Sequence, residues 1–232
     1  TLERMAFEAS TTPHLGVKCV DTSTVIQDGD TYHATAIVGI GNAIHVALSN
    51  TGDRELVVAS VDLFSDDGVS NQFSMGAIEW PLEIGVGSES HIDLAFQPDT
   101  VGLHTVEVRI THNGPEAEGS FGFFIDGTAV STDATLSDLE VTGGTWNEPF
   151  ASGEAGPYDV SVPHSPTSIR VVPTASSADA TIKVNSVVVA SGSESGPINL
   201  IVGDNDVSVD VTSGSGETFG YQLRVDRASD NA

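Results

Sequence analysis

Residues 207–212 are Val-Ser-Val-Asp-Val-Thr, a strict alternation of apolar and polar side chains. Because successive side chains of a β-strand point to opposite faces, this pattern predicts a half-buried strand with one wet face. The same alternation recurs outward along the chain, at residues 92–96, 106–110 and 158–163. Helical periodicity is almost absent, and turn-forming residues such as Asn50-Thr51-Gly52 separate the runs. The sequence therefore predicts an all-β fold.

The alternating runs fall into two groups on either side of residues 127–135, Gly-Thr-Ala-Val-Ser-Thr-Asp-Ala-Thr. A small and polar segment of this kind is typical of a linker, and 232 residues are enough for two ordinary domains. We predict two tandem Ig-like β-sandwich domains of about seven strands each. They occupy residues 15–130 and 131–232, and residues 1–14 form an N-terminal extension.

The chain is strongly acidic, since 33 Asp and Glu residues against 8 Lys and Arg residues give a formal net charge of −25. Such a surface repels nucleic-acid phosphates and anionic membranes, so we predict no nucleic-acid partner. No apolar run reaches the length of a membrane span, and we predict no membrane insertion. High salt screens the self-repulsion of an acidic surface, which fits a marine or saline source.

One cysteine, Cys19, excludes an intramolecular disulfide. It lies in the apolar run 15–20, and we expect a buried and inert thiol there. The chain starts without an initiator methionine or a signal peptide, so we expect Thr1 to be a processed N-terminus or the edge of a fragment.

Several short motifs lie within residues 15–130. They are Ile26-Gln27-Asp28-Gly29-Asp30-Thr31, Leu48-Ser49-Asn50-Thr51-Gly52, Phe73-Ser74, Pro81-Leu82, Phe96-Gln97-Pro98 with Gly102, and Gly127-Thr128. Together they resemble the Ig-like module called choice-of-anchor D, which is related to the ASPM/SPD-2/Hydin domains. The resemblance implies a sandwich domain of a secreted or surface-attached protein and no catalytic residue set.

A second set of motifs lies within residues 134–227. They are Leu136-Ser137-Asp138-Leu139, Phe150, Tyr158 to Pro163, Leu200-Ile201-Val202-Gly203 with Asn205, and Tyr221 to Arg227. This set resembles the bacterial cadherin-like β-sandwich domain, which again implies an extracellular or cell-surface protein. The family usually has Asn-Gly in one hairpin turn, where this chain has Asn185-Ser186. We also expect a turn at Gly203-Asp204-Asn205.

Acidic residues in glycine-containing turns are candidate calcium ligands, because Ca²⁺ takes several oxygen ligands from one tight loop. The candidate metal ligands are Asp28 and Asp30, which flank Gly29, and Asp66-Asp67-Gly68 is a similar turn. No stretch has EF-hand spacing or a calcium-binding nonapeptide repeat. The alternative, that these residues only shape turns, stays open. We expect no other cofactor.

No motif selects an active site. The sequence has no G-x-S-x-G, no HExxH, no H-x-H pair and no glycine-rich phosphate loop that opens a helix. His45 and His91 fall on outward positions of their strands, where two surface side chains can meet by chance. Carboxylates are so abundant that no pair stands out for glycoside hydrolysis. We predict that the chain is not an enzyme.

Two features could mark a binding surface. Trp80 and Trp146 would suggest sugar stacking if they were exposed together, although each could equally pack at the end of its sandwich. The N-terminal extension contains Leu2, Met5 and Phe7, which are the candidate assembly residues. The extension could be an extra edge strand of its own domain, or it could add to the sheet of a neighbouring subunit.

We therefore expect a non-catalytic extracellular structural protein, a subunit of a cell-surface filament or sheath with subunit contacts through sandwich edges. Its expected partners are copies of itself or other surface proteins. One alternative is an adhesin-type binding module for glycan or protein. Another is a pair of accessory domains of a larger secreted enzyme. A prokaryotic source fits all three.

Overall fold

The computed structural model describes residues 12–65, 72–115 and 119–230. By its internal contacts the chain divides into two compact units, Thr1–Ala129 and Val130–Ala232, which we call the first and second units. Strands and connecting loops make up both units, as expected for an all-β fold. No helix within the described residues is long and apolar enough to cross a membrane.

The described residues of the first unit form two sheets of five strands each. The orders are β2-β1-β4-β8-β6 and β3-β10-β9-β5-β7. The strands are β1 (Leu15–Cys19), β2 (Thr24–Ile26), β3 (Thr31–Ile37), β4 (Asn42–Asn50), β5 (Leu56–Phe64), β6 (Phe73–Met75), β7 (Leu82–Ile84), β8 (Glu89–Phe96), β9 (Gly102–His112) and β10 (Ser120–Val130).

Apolar residues of both sheets form one core in the first unit. In β9, Val106, Val108 and Ile110 are buried and alternate with residues that are more exposed, as the sequence predicts. The register of β5 against β9 shifts between Val58 and Ser60. An extra residue at a bulge moves the following side chains to the other face. This explains why Val58 and Val61 are both buried although they are three residues apart.

The second unit is built from sheets of unequal size. Three strands form one sheet, in the order β11-β14-β17, and six form the other, in the order β12-β13-β19-β18-β15-β16. The strands are β11 (Leu136–Thr142), β12 (Thr145–Trp146), β13 (Tyr158–Val162), β14 (Ser168–Ala175), β15 (Thr181–Val184), β16 (Val187–Val189), β17 (Ile198–Asn199), β18 (Gly203–Thr212) and β19 (Thr218–Arg227).

Two buried polar side chains anchor the second unit. The hydroxyl oxygen of Tyr221 accepts a hydrogen bond from the Leu136 backbone N–H at 2.9 Å. The Arg227 guanidinium donates to the carbonyl oxygens of His164, Pro166 and Leu200. Tyr221 thus connects β19 to the start of β11, and Arg227 connects β19 to the turn after β13 and to the approach to β18.

Three sequence-based expectations need correction. The predicted linker 127–135 is shorter, because β10 continues to Val130 and only residues 131–135 separate it from β11.

The predicted turn at Gly203 is the start of β18, and the turn precedes it. Asn205 fixes that turn, since its side chain both accepts from the Ile201 N–H at 2.9 Å and donates to the Ile201 carbonyl at 3.0 Å.

The third correction concerns the strand count. The described residues contain ten strands in the first unit and nine in the second, more than about seven each. The excess comes from two- and three-residue edge strands such as β2, β16 and β17. Runs this short have too few residues to show alternation.

Candidate functional site

The two predicted calcium ligands lie in the turn between β2 and β3. Asp30 Oδ2 accepts the backbone N–H of Gln27 at 2.8 Å, and Asp28 Oδ1 accepts that of Gly122 in β10 at 2.7 Å. The Gly29 N–H also donates to the Gly122 carbonyl at 2.7 Å. These hydrogen bonds tie the turn to β10, and calcium binding at Asp28 and Asp30 stays a prediction.

The described ranges contain no group of three or more His, Cys, Asp or Glu side chains that could hold a metal ion. The similar sequence motif Asp66-Asp67-Gly68 lies outside the described residues. The candidate assembly residues Leu2, Met5 and Phe7 also lie outside them. Their role therefore rests on the sequence alone.

Both tryptophans pack against the core of their own unit. Trp80 is partly buried against the first core and Trp146 against the second. The Trp146 ring meets Tyr158 edge-on, with centroids 5.8 Å apart. Since these rings are engaged in packing, the structure favours the structural alternative for both residues over a sugar-stacking pair.

Cys19 is completely buried in the first core, which confirms the expectation of a sequestered thiol. Its neighbour Tyr32 is partly buried, and this burial, together with a hydrogen bond to the Cys19 side chain, raises the pKa of Tyr32 to about 12. The Tyr32 phenol is therefore neutral near pH 7. The Cys19 thiol is shielded from solvent.

His45 lies between two carboxylates on the outer face of the β2-β1-β4-β8-β6 sheet. Its Nδ1 is 2.8 Å from Asp21 Oδ1, its backbone N–H donates to Asp21 Oδ2 at 2.9 Å, and its Nε2 is 3.9 Å from Asp93. The hydrogen bond and charge of Asp21 raise the pKa of His45. The hydrogen bonds from the His45 backbone and side chain lower the pKa of Asp21.

This exposed trio shows how His45 is positioned, but the described residues place no serine or cysteine nucleophile against it. The second histidine, His91, is opposite Ala47 in the register and contacts Glu89 at 3.8 Å. These histidines and carboxylates form exposed ion-pair contacts on the sheet surface.

Two exposed phenylalanines define a surface on the β3-β10-β9-β5-β7 sheet, which we call the Phe64–Phe124 face. In the register, Phe64 of β5 and Phe124 of β10 lie on either side of Glu107 in β9. Phe64 is 46% exposed and Phe124 is 40% exposed. The Arg109 guanidinium lies over the Phe64 ring, 4.6 Å from its centroid, and donates to Glu107 Oε1 at 2.8 Å.

A depression of about 340 Å³ adjoins this face. The residues that line it include Gly122, which has no side chain to fill the space, and Asp28 of the β2–β3 turn. Aromatic rings next to charged hydrogen-bonding groups are a common arrangement for binding polar ligands such as sugars or peptides.

The second unit has an apolar groove at one edge, between β16 of the large sheet and β17 of the small sheet. We call it the β16–β17 groove. Its volume is about 300 Å³. It is lined by Val184, Asn185, Val187, Val189, Ser195, Gly196, Pro197, Ile198 and Asn199. None of these residues carries a charge.

The outer face of the large sheet in the second unit has a contrasting polar depression of about 320 Å³. It is lined by Asp159, Asp204 and Asp226, with Arg224 among them. Asp204 and Asp226 are directly opposite each other in the β18–β19 register. Like charges in that position repel, which makes this pair a cost to the fold rather than a formed site.

The comparison with protein families concerns the second unit. A model of the cadherin-like beta sandwich domain family matches residues 136–228. This match confirms the cadherin-like prediction for that half of the chain. The choice-of-anchor D resemblance of the first half stays a prediction.

One curated relative is a putative membrane protein of Evansella cellulosilytica, with 34% identity over 97 residues. The aligned part covers 42% of this chain and 14% of that protein, so the chain spans a small fraction of the relative's length.

Among solved structures, DIP-gamma IG1+IG2 has a TM-score of 0.42 at 8% identity, covering 94% of this chain and 98% of that one. The ASH/PapD-like domain of human CEP192 has a TM-score of 0.38 at 9% identity, covering 56% and 96%.

Sequence reasoning missed both the Phe64–Phe124 face and the β16–β17 groove. Phe124 interrupts the inward series Phe121, Phe123 and Ile125, so alternation already puts its ring on the outer face. The run Val187 to Val189 places apolar side chains on both faces of a strand, which also signals an apolar surface outside the core.

Proposed function

We propose that this chain is a non-catalytic structural part of an extracellular or cell-surface assembly, such as a filament or sheath, in which copies meet through sandwich edges. The observation that supports it most is the edge strand β16. It consists of three valines, of which Val187 is 65% exposed and Val188 is also exposed. Edge strands of monomeric proteins are usually very short or carry charges, prolines or bulges that prevent pairing. β16 is short, with three residues, but it has no charge, proline or bulge.

The overall charge strengthens this argument. A chain with a net charge of −25 resists non-specific association because copies repel each other. An uncharged apolar edge on such a chain directs association to one place. Salt screens the long-range repulsion and leaves the apolar contact intact, so the assembly should strengthen as salt rises.

The location at the cell surface is part of the proposal. The curated relative is a putative membrane protein, and cadherin-like domains often mediate adhesion or structural contacts. Both resemblances, including choice-of-anchor D for residues 15–130, point to secreted or surface-attached prokaryotic proteins. The absence of any catalytic role is proposed on the same grounds, because the fold resembles non-catalytic binding domains.

The test is sedimentation of the full chain over a range of protein and salt concentrations, followed by electron microscopy of the material. We expect the average mass to rise with protein concentration, and to rise further between about 0.1 M and 1 M NaCl. Elongated particles in the micrographs would support a filament. A chain that stays monomeric under all these conditions contradicts the proposed function.

A second candidate function, glycan or peptide binding, is favoured by the Phe64–Phe124 face and its depression. A glycan and peptide array with the full chain tests it, with Phe124→Ala as the binding variant and Phe219→Ala, a half-buried phenylalanine of the second unit, as the control. Binding that Phe124→Ala removes supports an adhesin. An array without any hit removes this candidate. A longer gene with a catalytic domain would instead support accessory domains of a secreted enzyme.

A further inference from the structure

The β16–β17 groove exists because the two sheets of the second unit differ in size. Three strands face six, and the groove lies where β16 of the large sheet and β17 of the small sheet are both edge strands. A sandwich normally buries the inner faces of both its sheets. Here part of the inner face of the large sheet has no strand across from it.

Val187 shows this mismatch most clearly. It lines the groove together with Val184 and Val189, which are 3% and 8% exposed, whereas Val187 is 65% exposed. The side chain therefore lies on the groove side of β16 without cover. Covering this side chain removes apolar surface from water, which is favourable.

The backbone next to the groove is also available for pairing. In the described residues β16 pairs with β15 alone and β17 pairs with β14 alone. A strand that enters the groove can extend the large sheet through hydrogen bonds to β16, while its inward side chains fill the apolar space. The occupant that fits is an extended segment with alternating apolar side chains.

The charge of the lining restricts the occupant further. The groove has no charged residue, so it offers no partner for a carboxylate that would be buried with the strand. The occupant must therefore have uncharged side chains at its inward positions, while any charge must point outward to solvent.

Within residues 1–11 of this chain, Thr-Leu-Glu-Arg-Met-Ala-Phe-Glu-Ala-Ser-Thr, the stretch 5–9 meets these requirements. Met5, Phe7 and Ala9 alternate with Ala6 and Glu8, so the apolar side chains share one face of a strand. The segment has two Glu residues and one Arg, close to neutrality in a chain of net charge −25. It lies outside the described residues and precedes Thr12. A three-residue stretch such as residues 5–7 matches the three residues of β16, about 10 Å of strand.

We infer that the β16–β17 groove of one copy accepts the Met5–Phe7 segment of a second copy as an added β-strand. This inference rests on the proposed function, since it specifies how the copies meet. Met5 and Phe7 cover Val187 and fill the groove, while Glu8 stays in solvent. Each copy has one donor segment and one acceptor groove, so the contact is head-to-tail and propagates into a chain of subunits.

The experiment uses two variants of the full chain that block opposite halves of the contact. Val187→Glu puts a charge into the groove, and Met5→Asp with Phe7→Asp puts charges on the donor. Each variant alone should weaken self-association by about tenfold or more. Mixed in equal amounts, they should form one-to-one dimers that grow no further, because the mixture has one intact donor and one intact groove.

Matched controls separate this contact from general effects of added charge. Val25→Glu alters an edge valine of the first unit that is 62% exposed, close to the exposure of Val187, and should leave association unchanged. Ser10→Asp with Thr11→Asp adds the same charge to the N-terminal segment and should also leave it unchanged. Thermal unfolding by circular dichroism checks that each variant is folded.

The outcomes distinguish this inference from the proposed function. If the unaltered chain associates but both blocking variants associate equally well, the inference is wrong and edge-to-edge assembly stands. If the unaltered chain never associates, the proposed function fails as well. Occupation of the groove that does not depend on protein concentration would mean that residues 1–11 insert into their own copy. That result also overturns the contact with a second copy. If Val187→Glu proves unfolded, binding of a labelled peptide of residues 1–11 to the Met5→Asp, Phe7→Asp chain tests the groove directly.

Discussion

The two units solve the same packing problem with different sheets. The first pairs five strands with five, and its exposed aromatic residues lie on an outer sheet face. The second pairs three strands with six, and its exposed valines Val187 and Val188 lie on the edge strand β16, beside the β16–β17 groove. Sheets of equal size leave the exposed phenylalanines of the first unit on an outer face, whereas sheets of unequal size leave apolar side chains of the second unit uncovered at an edge.

The largest expected effect tests how completely the first core is closed. Phe96 is fully buried and stacks on Phe73, with centroids 4.6 Å apart. Phe96→Ala should lower the free energy of unfolding of the first unit by about 3–5 kcal/mol, because it removes the ring and leaves a cavity. Chemical denaturation followed by Trp80 fluorescence, in a Trp146→Phe background, measures it.

The control is Phe124→Ala on the outer face of the same unit, which should cost less than about 0.5 kcal/mol. Similar losses for the two variants would mean that Phe96 is not part of a closed core, and the contrast between the units would disappear.

The next prediction compares one arginine from each unit. Arg227 of the second unit is buried, and its removal leaves the carbonyls of His164, Pro166 and Leu200 without their donor. Arg227→Ala should therefore cost about 1–3 kcal/mol of unfolding free energy. Arg109→Ala in the first unit should cost at most about 1 kcal/mol, since Arg109 is exposed and its ion pair is solvated.

Urea denaturation of the two arginine variants measures both values. An equal loss of unfolding free energy in both variants would contradict this prediction. It would show that water hydrogen-bonds to the carbonyls around Arg227 once the guanidinium is removed, and that solvent reaches this part of the second unit.

A smaller effect tests the opposed carboxylates of the second unit. Asp204→Asn should raise the unfolding free energy by about 0.2–1 kcal/mol at low salt, because it removes repulsion from Asp226, and the gain should shrink in about 1 M NaCl. Asp210→Asn is the matched control, since Asp210 is opposite Lys183 and Gly220. It should give no gain. A gain from both variants would mean that total charge matters and the Asp204–Asp226 pairing does not.

The smallest effect concerns the exposed His45–Asp21 pair of the first unit. Because folding raises the pKa of the His45 imidazole, its protonated form stabilises the folded state at pH values below its unfolded pKa. This stabilisation is lost as the pH rises through the folded pKa. Because folding lowers the pKa of the Asp21 carboxyl group, its ionised form stabilises the folded state at pH values above its unfolded pKa. This stabilisation is lost as the pH falls through the folded pKa. The pair therefore contributes most between about pH 4 and 6.5.

NMR titration of the imidazole measures the His45 pKa. Asp21→Asn should bring it down toward its ordinary value, while Asp93→Asn, 3.9 Å away, should change it less. An unchanged value in Asp21→Asn would contradict the geometry of the pair.

Much of the fold could be predicted from the sequence because alternation is local. In the strands around Val106, Val160 and Val209, buried apolar residues alternate with polar residues along the sequence, so consecutive residues show the burial pattern. The sizes of the sheets could not be predicted in this way. They depend on which strand each short edge strand joins, and β16 and β17 are too short to show a pattern.

The candidate surfaces follow the same division. Alternation alone puts Phe124 outside, but only the cross-strand register brings it into one row with Glu107 and Phe64. Likewise, the sequence shows that Met5 and Phe7 are apolar residues ahead of the first predicted strand. Only the sheet topology shows that β16 is an edge strand beside an apolar groove. The proposed donor segment was found in the sequence, and the groove that it is proposed to enter was found in the structure.

The most direct test of the central claim is hydrogen–deuterium exchange of the β16 amides at low and high protein concentration. We predict that the Val188 amide becomes protected as concentration rises, because its place between the β15 pairings of Val187 and Val189 turns it toward the open edge, where an added strand hydrogen-bonds. The amides of β2 around Val25 should stay unchanged. Exchange in β16 that is the same at every concentration, in a sample that does associate, would contradict the claim that copies meet at the open edge of the second unit.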